Sequence, residues 1–414
     1  MYLTLVLSTG TPAGADGAYY LSYGAAIAGQ RPVGIDDLWA GPGYALALGA
    51  LLRLGGGAEA ALLLNAGLLY AAVVLLSEVL VEYLPRGRAL VLAGTFGASP
   101  VVLDNLRFAM SEPLTTLLTV GTLALLLADY TRARAALLAG VLLLLALTKV
   151  LFAYVLAAAG LGLAAWALIG LRSGVGRARW RRTWSLALAL VGLLPYLAVT
   201  HAITGRHWHL ANAGGSSLYS MTSPHPGEVG SWIPLNFRAP PSRTQPTHVS
   251  DTATARWQRH HASTIAELAV AEDVLARDEV YRRRGWVNLL AHPDAFVRNY
   301  ISNHGRMWLS WPFSYYVLTW VPFVVGGYHV ALLTAVAWAR RGRQRMIAYP
   351  AAVQLGALLG VYLALSGALS AYPRQLYVVL PWVMVLGVGV GRGSGAPSTA
   401  PRSRLPERQT AGAA

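Results

Sequence analysis

The sequence predicts an all-α integral membrane bundle of about 9–11 membrane helices with an outward-facing mixed loop domain. Three observations lead there. Of 414 residues, 55% are apolar and 12% charged, where a soluble domain carries roughly 25% charged residues. Apolar runs matched to a hydrocarbon core about 30 Å thick recur along the chain. The arginines gather in short segments between those runs: Arg86 and Arg88; Arg132 and Arg134; Arg172, Arg177, Arg179, Arg181 and Arg182; Arg340, Arg341, Arg343 and Arg345; and the tail Arg392, Arg402, Arg404 and Arg408. Basic loops repeated after every second span mark the cytoplasmic side.

Composition also excludes whole classes. With 43 Gly and 22 Pro, the two together stay well under the roughly 25–30% that marks low-complexity chains. The absence of Cys removes disulfides, thiolate metal sites and cysteine nucleophiles. A formal charge of +15 raises nucleic acid as a partner, but its placement at span ends assigns it to topology rather than to a phosphate groove, so no nucleic-acid partner is expected.

Along the chain, the apolar residues from Tyr2 to Ser8 provide only about 10 Å of helix and read as a first helix cut short by the assigned start. The stretch 43–54, with Arg53 and a run of glycines after it, reads as a helix lying on or dipping into the outer surface. Candidate spans follow at 58–82, 89–103, 113–129, 135–148, 150–171, 184–203, 314–338, 346–369 and 376–391. The pair on either side of Lys149 is expected to meet in a tight hairpin at the membrane boundary. These spans divide the chain into an N-terminal membrane module (1–203) with outer loops 10–57 and 104–112, an extracytoplasmic loop domain (204–306), C-terminal membrane helices (307–391) and a basic cytoplasmic tail (392–414). The segment 204–306 is soluble in character, with most of the histidines and many prolines. Within it, 254–284 predicts helix and the Gly-, Pro- and Ser-rich 211–250 predicts irregular backbone.

Ionisable residues at the outer lips of spans are the functional candidates. Asp16, in Gly14-Ala15-Asp16-Gly17-Ala18-Tyr19-Tyr20, reads either as a helix N-cap or as a general base. Arg107 and Glu112 lie in Asp104-Asn105-Leu106-Arg107-Phe108-Ala109-Met110-Ser111-Glu112-Pro113, where Ser111 predicts a cap and Glu112 a helix start. Lys149 is the only lysine and sits between two apolar runs. Arg374 stands at the outer end of the last span, against the positive-inside trend, and predicts an anionic partner such as a lipid phosphate. The histidines show no metal-ligand spacing, since His207 and His209 are two apart and His260 and His261 adjacent.

Taken in order, these residues resemble the GT-C class of polytopic membrane glycosyltransferases, in particular bacterial relatives of the dolichyl-phosphate-mannose protein mannosyltransferases and of the aminoarabinose transferases. Asp16 with Tyr19 and Tyr20, then Gly41-Pro42-Gly43-Tyr44, is similar to the family's first outer loop. Arg107 with Ser111-Glu112-Pro113 resembles its second, Leu147-Thr148-Lys149 its short turn, and Arg374 with Pro381 its last-span start. The stretch Asn212-Ala213-Gly214-Gly215-Ser216-Ser217-Leu218-Tyr219 with Gly230-Ser231-Trp232 resembles the opening of the family's outer loop, and Tyr281 to Trp311 the helix that returns to the membrane. The resemblance implies an inverting transfer of a hexosyl or pentosyl group from a polyprenyl-phosphate donor to a glycan, lipid or protein acceptor on the outer face. It implies Asp16 and Glu112 as catalytic residues, and Arg107, Lys149, Tyr19, Tyr20 and Arg374 as substrate-binding residues. Asp16 is followed by Gly17 where many relatives carry a second acid, so no cofactor is assigned, and a divalent metal stays open without a ligand motif. The rival reading is a lipid or sugar transporter or flippase, which predicts paired ionisable groups at mid-membrane depth.

Overall fold

The computed structural model describes residues 1, 2, 4, 6, 15–171, 176–231, 251–312, 321–369 and 371–390. Every regular element among them is helical, as the apolar-run pattern predicts. Five are long and apolar enough to cross a membrane: Ala58–Val81, Leu151–Ile169, Thr183–Thr204, Val321–Arg340 and Tyr349–Ala368. Their outer faces present large apolar side chains, with Leu161 76% and Phe323 80% exposed, an arrangement suited to lipid rather than water. This is the architecture of a multi-pass membrane protein.

The chain enters through α1 (Ala15–Ile27) and α2 (Pro42–Arg53), which pack together through small residues. A Cβ on Gly24 would lie 2.8 Å from Leu48 Cβ, and one on Gly49 would lie 2.8 Å from Ile27 Cγ2. At about 18 Å of helical rise α2 is too short to span; it buries Tyr44, Ala45 and Leu48, in keeping with a helix that does not cross. The first long helix is α3 (Ala58–Val81). The expected span 89–103 is broken into α4 (Arg86–Gly97) and α5 (Pro100–Asn105), because Pro100 carries no N–H and starts a new helix. The next helix, α6 (Glu112–Leu127), packs along α3.

Next come α7 (Arg132–Thr148) and α8 (Leu151–Leu171), which meet at Lys149. The following helix, α9 (Gly176–Gly192), packs against both, so the two arms of the expected hairpin share a third helix between them. After a break at Leu193, Pro195 opens α10 (Leu194–Thr204).

The segment after α10 is more ordered than its composition predicts. The stretch expected to be irregular contains α11 (Gly214–Met221), while 232–250 lies outside the described residues. The single helix expected over 254–284 is three: α12 (Asp251–His260), α13 (Ala262–Ala269) and α14 (Val274–Ala291). The Asp273 side chain accepts from Ala276 N–H at 2.7 Å and caps α14, and Pro293 opens α15 (Pro293–Leu309).

The glycines of Gly214-Gly215 serve packing rather than disorder. A Cβ on Gly215 would fall 2.2 Å from the Asp278 carbonyl oxygen, and the Gly215 N–H donates to Asp278 Oδ1 at 2.7 Å. Glycine lets α11 lie directly on α14.

The described residues end in α16 (Val321–Arg340), α17 (Tyr349–Ala368), the short α18 (Pro373–Tyr377) and α19 (Leu380–Gly389); the basic tail expected at 392–414 lies outside them. These helices close the main apolar core. Phe96 stacks on Tyr377 with centroids 4.5 Å apart, and Phe152 on Tyr362 at 4.8 Å. Trp382, fully buried, donates its indole N–H to Thr119 O at 2.8 Å.

Candidate functional site

Four charged residues from four distant parts of the chain converge. Arg374 Nη1 lies 2.9 Å from Asp16 Oδ2 and Arg374 Nε lies 3.6 Å from Glu112 Oε1. Lys149 Nζ donates to the same Glu112 oxygen at 3.1 Å. Two carboxylates and two cations thus form one continuous, formally neutral cluster. All four stand at helix ends: Asp16 in the first turn of α1, Glu112 as the first residue of α6, Lys149 just past α7, and Arg374 in α18.

Local structure fixes each member. Glu112 sits where the positive end of α6 favours an anion. The register of α18 beside it is set about two turns further along α6, where Thr119 Oγ1 donates to Val378 O at 2.6 Å. Glu112 and Thr119 are seven residues apart and share a face of α6, so anchoring Val378 holds Arg374 over Glu112. Ser111, expected as a cap, makes no capping bond; its Oγ accepts from Tyr20 OH at 3.1 Å. Asp16 lies inside the first turn of α1, so its carboxylate is spent on Arg374 rather than on a cap.

Lys149 owes its place to Gly41-Pro42-Gly43. A Cβ on Gly41 would lie 2.1 Å from the Leu147 carbonyl oxygen. One on Gly43 would meet Thr148 Oγ1 at 2.4 Å, its backbone nitrogen at 2.7 Å and its Cα at 2.8 Å. Only glycine allows α2 to abut the Leu147-Thr148-Lys149 turn this closely. Gly43→Ala is therefore expected to destabilise the protein by about 1–3 kcal/mol, the cost of overpacking, read as a lower unfolding midpoint in detergent. Because two of the three clashes are with backbone, adding Thr148→Ala should not restore the midpoint. A full restoration would contradict the packing described.

The turn between α5 and α6 is held by a residue that sequence reasoning passed over. Asn65, fully buried in α3, accepts from Tyr44 OH at 2.9 Å and donates to Phe108 O at 3.1 Å and Met110 O at 3.2 Å. The signal was a lone Asn inside the apolar run Leu62-Leu63-Leu64-Asn65-Ala66; an amide buried there must find partners.

The remaining predicted site residues lie near the cluster without joining it. Arg107 is 3.9 Å from Asp104 on a largely exposed rim. Tyr19 OH donates to Asp37 O and accepts from Ala40 N–H at 3.1 Å, which fixes the loop between α1 and α2 rather than facing the charges. Tyr20 sits between the two, edge-on to Tyr44 with centroids 5.1 Å apart.

The loop segment borders this site. Asn212 donates its side-chain amide to Ile35 O at 2.8 Å and its backbone N–H to Leu38 O at 2.8 Å, tying 204–231 to the loop between α1 and α2. From α15, Asn303 donates to Gly367 O at 3.0 Å and Leu369 O at 2.8 Å. Tyr372 lies within cation–π range of both Arg306 (5.9 Å) and Arg374 (5.7 Å). Glu112 Oε2 is buried and has no hydrogen-bond partner among the described residues. An unsatisfied buried acceptor is uncommon in a folded protein and leaves Glu112 free to take a hydrogen bond on that oxygen.

A second cluster, invisible to residue spacing, gathers His225, His260 and His261 around the buried Glu228. Burial opposes the Glu228 charge, but the ring N–H of His261, the Ser223 hydroxyl and His260 hold its carboxyl below the ordinary range.

No family model, curated protein or solved structure matches this chain.

Proposed function

We propose that the protein is a membrane glycosyltransferase of the GT-C kind, passing a sugar from a polyprenyl-phosphate donor to an acceptor at the outer face of the membrane. The observation that carries the reading is the convergence of Asp16, Glu112, Lys149 and Arg374 at the ends of four apolar-bundle helices. That placement suits a reaction whose donor keeps its lipid tail in the bilayer while its phosphate and sugar stand at the surface. A transporter also pairs charges beside broken helices, such as α4 and α5 here, but at mid-depth rather than at the span ends where the sequence puts these four.

The acceptor hydroxyl attacks the anomeric carbon, a new C–O bond forms, and the bond from that carbon to the phosphate oxygen breaks with inversion. The electron pair leaves with the phosphate. Asp16 takes the proton of the attacking hydroxyl; the unpartnered Glu112 Oε2 accepts a hydrogen bond from the acceptor and orients it. The guanidinium of Arg374 has donors beyond those directed at Asp16 and Glu112, and with Lys149 it neutralises charge growing on the leaving phosphate. An arriving phosphate competes with Asp16 for Arg374. Donor binding thereby loosens Asp16 from its cation at the moment it is needed as a base.

The test is release of polyprenyl phosphate from a panel of polyprenyl-phosphate hexoses and pentoses by the purified protein, a readout that does not require the acceptor to be known beforehand when crude envelope extract supplies it. Extract-dependent release is expected for one donor. Uptake of a labelled lipid or sugar into proteoliposomes with no release from any donor would favour the transporter instead.

Orientation has its own test. Because the chain lacks Cys, a cysteine at Ser263, exposed in α13, should react with an impermeant maleimide from outside. One at Ala133, exposed beside Arg132 and Arg134, should react only after the membrane is opened. Labelling of the Ala133 site alone in intact cells would invert the topology and remove the outward-facing site.

A further inference from the structure

The Glu228 cluster lies outside the proposed catalytic charges and has its own architecture. Glu228 is fully buried in the turn after α11. Its Oε2 accepts from the Ser223 hydroxyl, and His261 Nε2 approaches Oε1 at 3.0 Å and Oε2 at 3.1 Å. His261 is itself fixed, with Nδ1 2.6 Å from Tyr219 OH, which in turn donates to Thr264 Oγ1 at 2.9 Å. The carboxylate is therefore oriented by a buried chain of polar groups, with Oε1 facing His260 Nδ1 at 2.9 Å. The His225 ring stacks on His260 with centroids 3.9 Å apart, and one ligand atom from each of His225, Glu228 and His260 falls within 4.8 Å of the others.

A purely structural role accounts for part of this. Ser223 and His261 suffice to satisfy a buried carboxylate. They leave His225 unexplained: its ring makes no hydrogen bond among the described residues, yet it stands over His260. Two imidazoles and one carboxylate whose other oxygen is held by neighbours is the donor set of a divalent transition-metal site with outer-shell support.

We propose that His225, Glu228 and His260 bind a divalent transition-metal ion of the zinc type, with His261 and Ser223 as the groups that aim Glu228. Imidazole nitrogens favour zinc and its neighbours over calcium and magnesium, which take oxygen shells. Three protein ligands leave the fourth position to water. Ring lone pairs lie in the ring plane, so the two stacked imidazoles converge on an ion after one of them turns about its side-chain bond. His260, with its side chain 30% exposed, has the room. In the fold the ion clasps the turn after α11 to the junction of α12 and α13, two stretches more than thirty residues apart in the chain.

The test uses the full chain in detergent, purified without a polyhistidine tag and stripped with a chelator. Titration with zinc chloride by calorimetry should show about one equivalent bound per chain. Cobalt substitution should give the visible absorption of a tetrahedral or five-coordinate nitrogen–oxygen site. The double variant His225→Gln, His260→Gln changes only the ligands outside the buried chain of polar groups. It should lose the stoichiometric site and the cobalt bands while keeping the elution volume of the stripped wild type. His261→Gln should weaken zinc by about 10- to 100-fold, the usual cost of removing an outer-shell partner. Absence of stoichiometric zinc binding in the wild type would overturn the proposal, as would its survival in the double variant. If the double variant misfolds, Glu228→Gln, isosteric with the native residue, replaces it, and retention of the site there is equally fatal.

Discussion

Asp16→Asn is expected to slow sugar transfer from the polyprenyl-phosphate donor by about 10²- to 10⁴-fold, the range that a general base contributes. Asparagine keeps the shape and still accepts a hydrogen bond from Arg374, so the helix start and the neighbouring contacts persist. Asp16 and Arg374 are both partly exposed, and stability should fall by no more than about 1 kcal/mol. Expression, elution profile and donor binding serve as controls. Glu112→Gln should be milder, because an amide still orients a hydroxyl although it no longer neutralises Lys149. A near wild-type rate for Asp16→Asn would move the base to Glu112, and a loss larger in Glu112→Gln than in Asp16→Asn would exchange their roles.

Arg374→Ala is the second large effect. Removing a preorganised charge beside a developing anion typically costs about 10²- to 10³-fold in rate, and here it also takes from Asp16 its ion-pair partner and leaves Glu112 with Lys149 alone. Donor affinity should weaken together with the rate. Arg374→Lys separates charge from shape: a point charge replaces the planar fork that spans Asp16 and Glu112, so it should recover donor binding only in part and leave most of the rate deficit. Because a phosphate and Asp16 compete for the same guanidinium, the rate loss of the double variant Asp16→Asn, Arg374→Ala should fall short of the sum of the single losses in free energy. Strict additivity, with unchanged donor affinity in Arg374→Ala, would remove Arg374 from the phosphate site.

The all-helical character and the long apolar helices were legible because hydropathy at span length is a strong signal. The four charges were legible one at a time, each for a separate local reason: Glu112 before a proline, Lys149 as the single lysine, Arg374 against the charge gradient, Asp16 beside a small-residue helix. Their pairing was not, since nothing in the local pattern of residues 16, 112, 149 and 374 specifies which helix ends meet. The Gly-rich stretch opening at Gly214 read as irregular because glycine disfavours helix when nothing packs on it. Against the backbone of α14 the same missing side chain is what permits contact. His225, Glu228 and His260 escaped because metal-ligand patterns are recognised by spacing on one helix, whereas these come from a turn and from the last residue of α12.

The position of Arg374 in α18 also bears on biosynthesis. A chain is made and inserted from its N-terminus, so Asp16, Glu112 and Lys149 are in place long before Pro373–Tyr377 emerges. Until then the cluster holds two carboxylates and one cation, a net negative charge at the ends of apolar helices. Arg374 is the piece that makes it neutral, and Val378, bonded to Thr119, is the latch that seats it. Completion of the charged site and closure of the core by α19 thus come together, after the other three charges have been made, and a nascent chain stalled before that point carries the acids without the partner that quiets them.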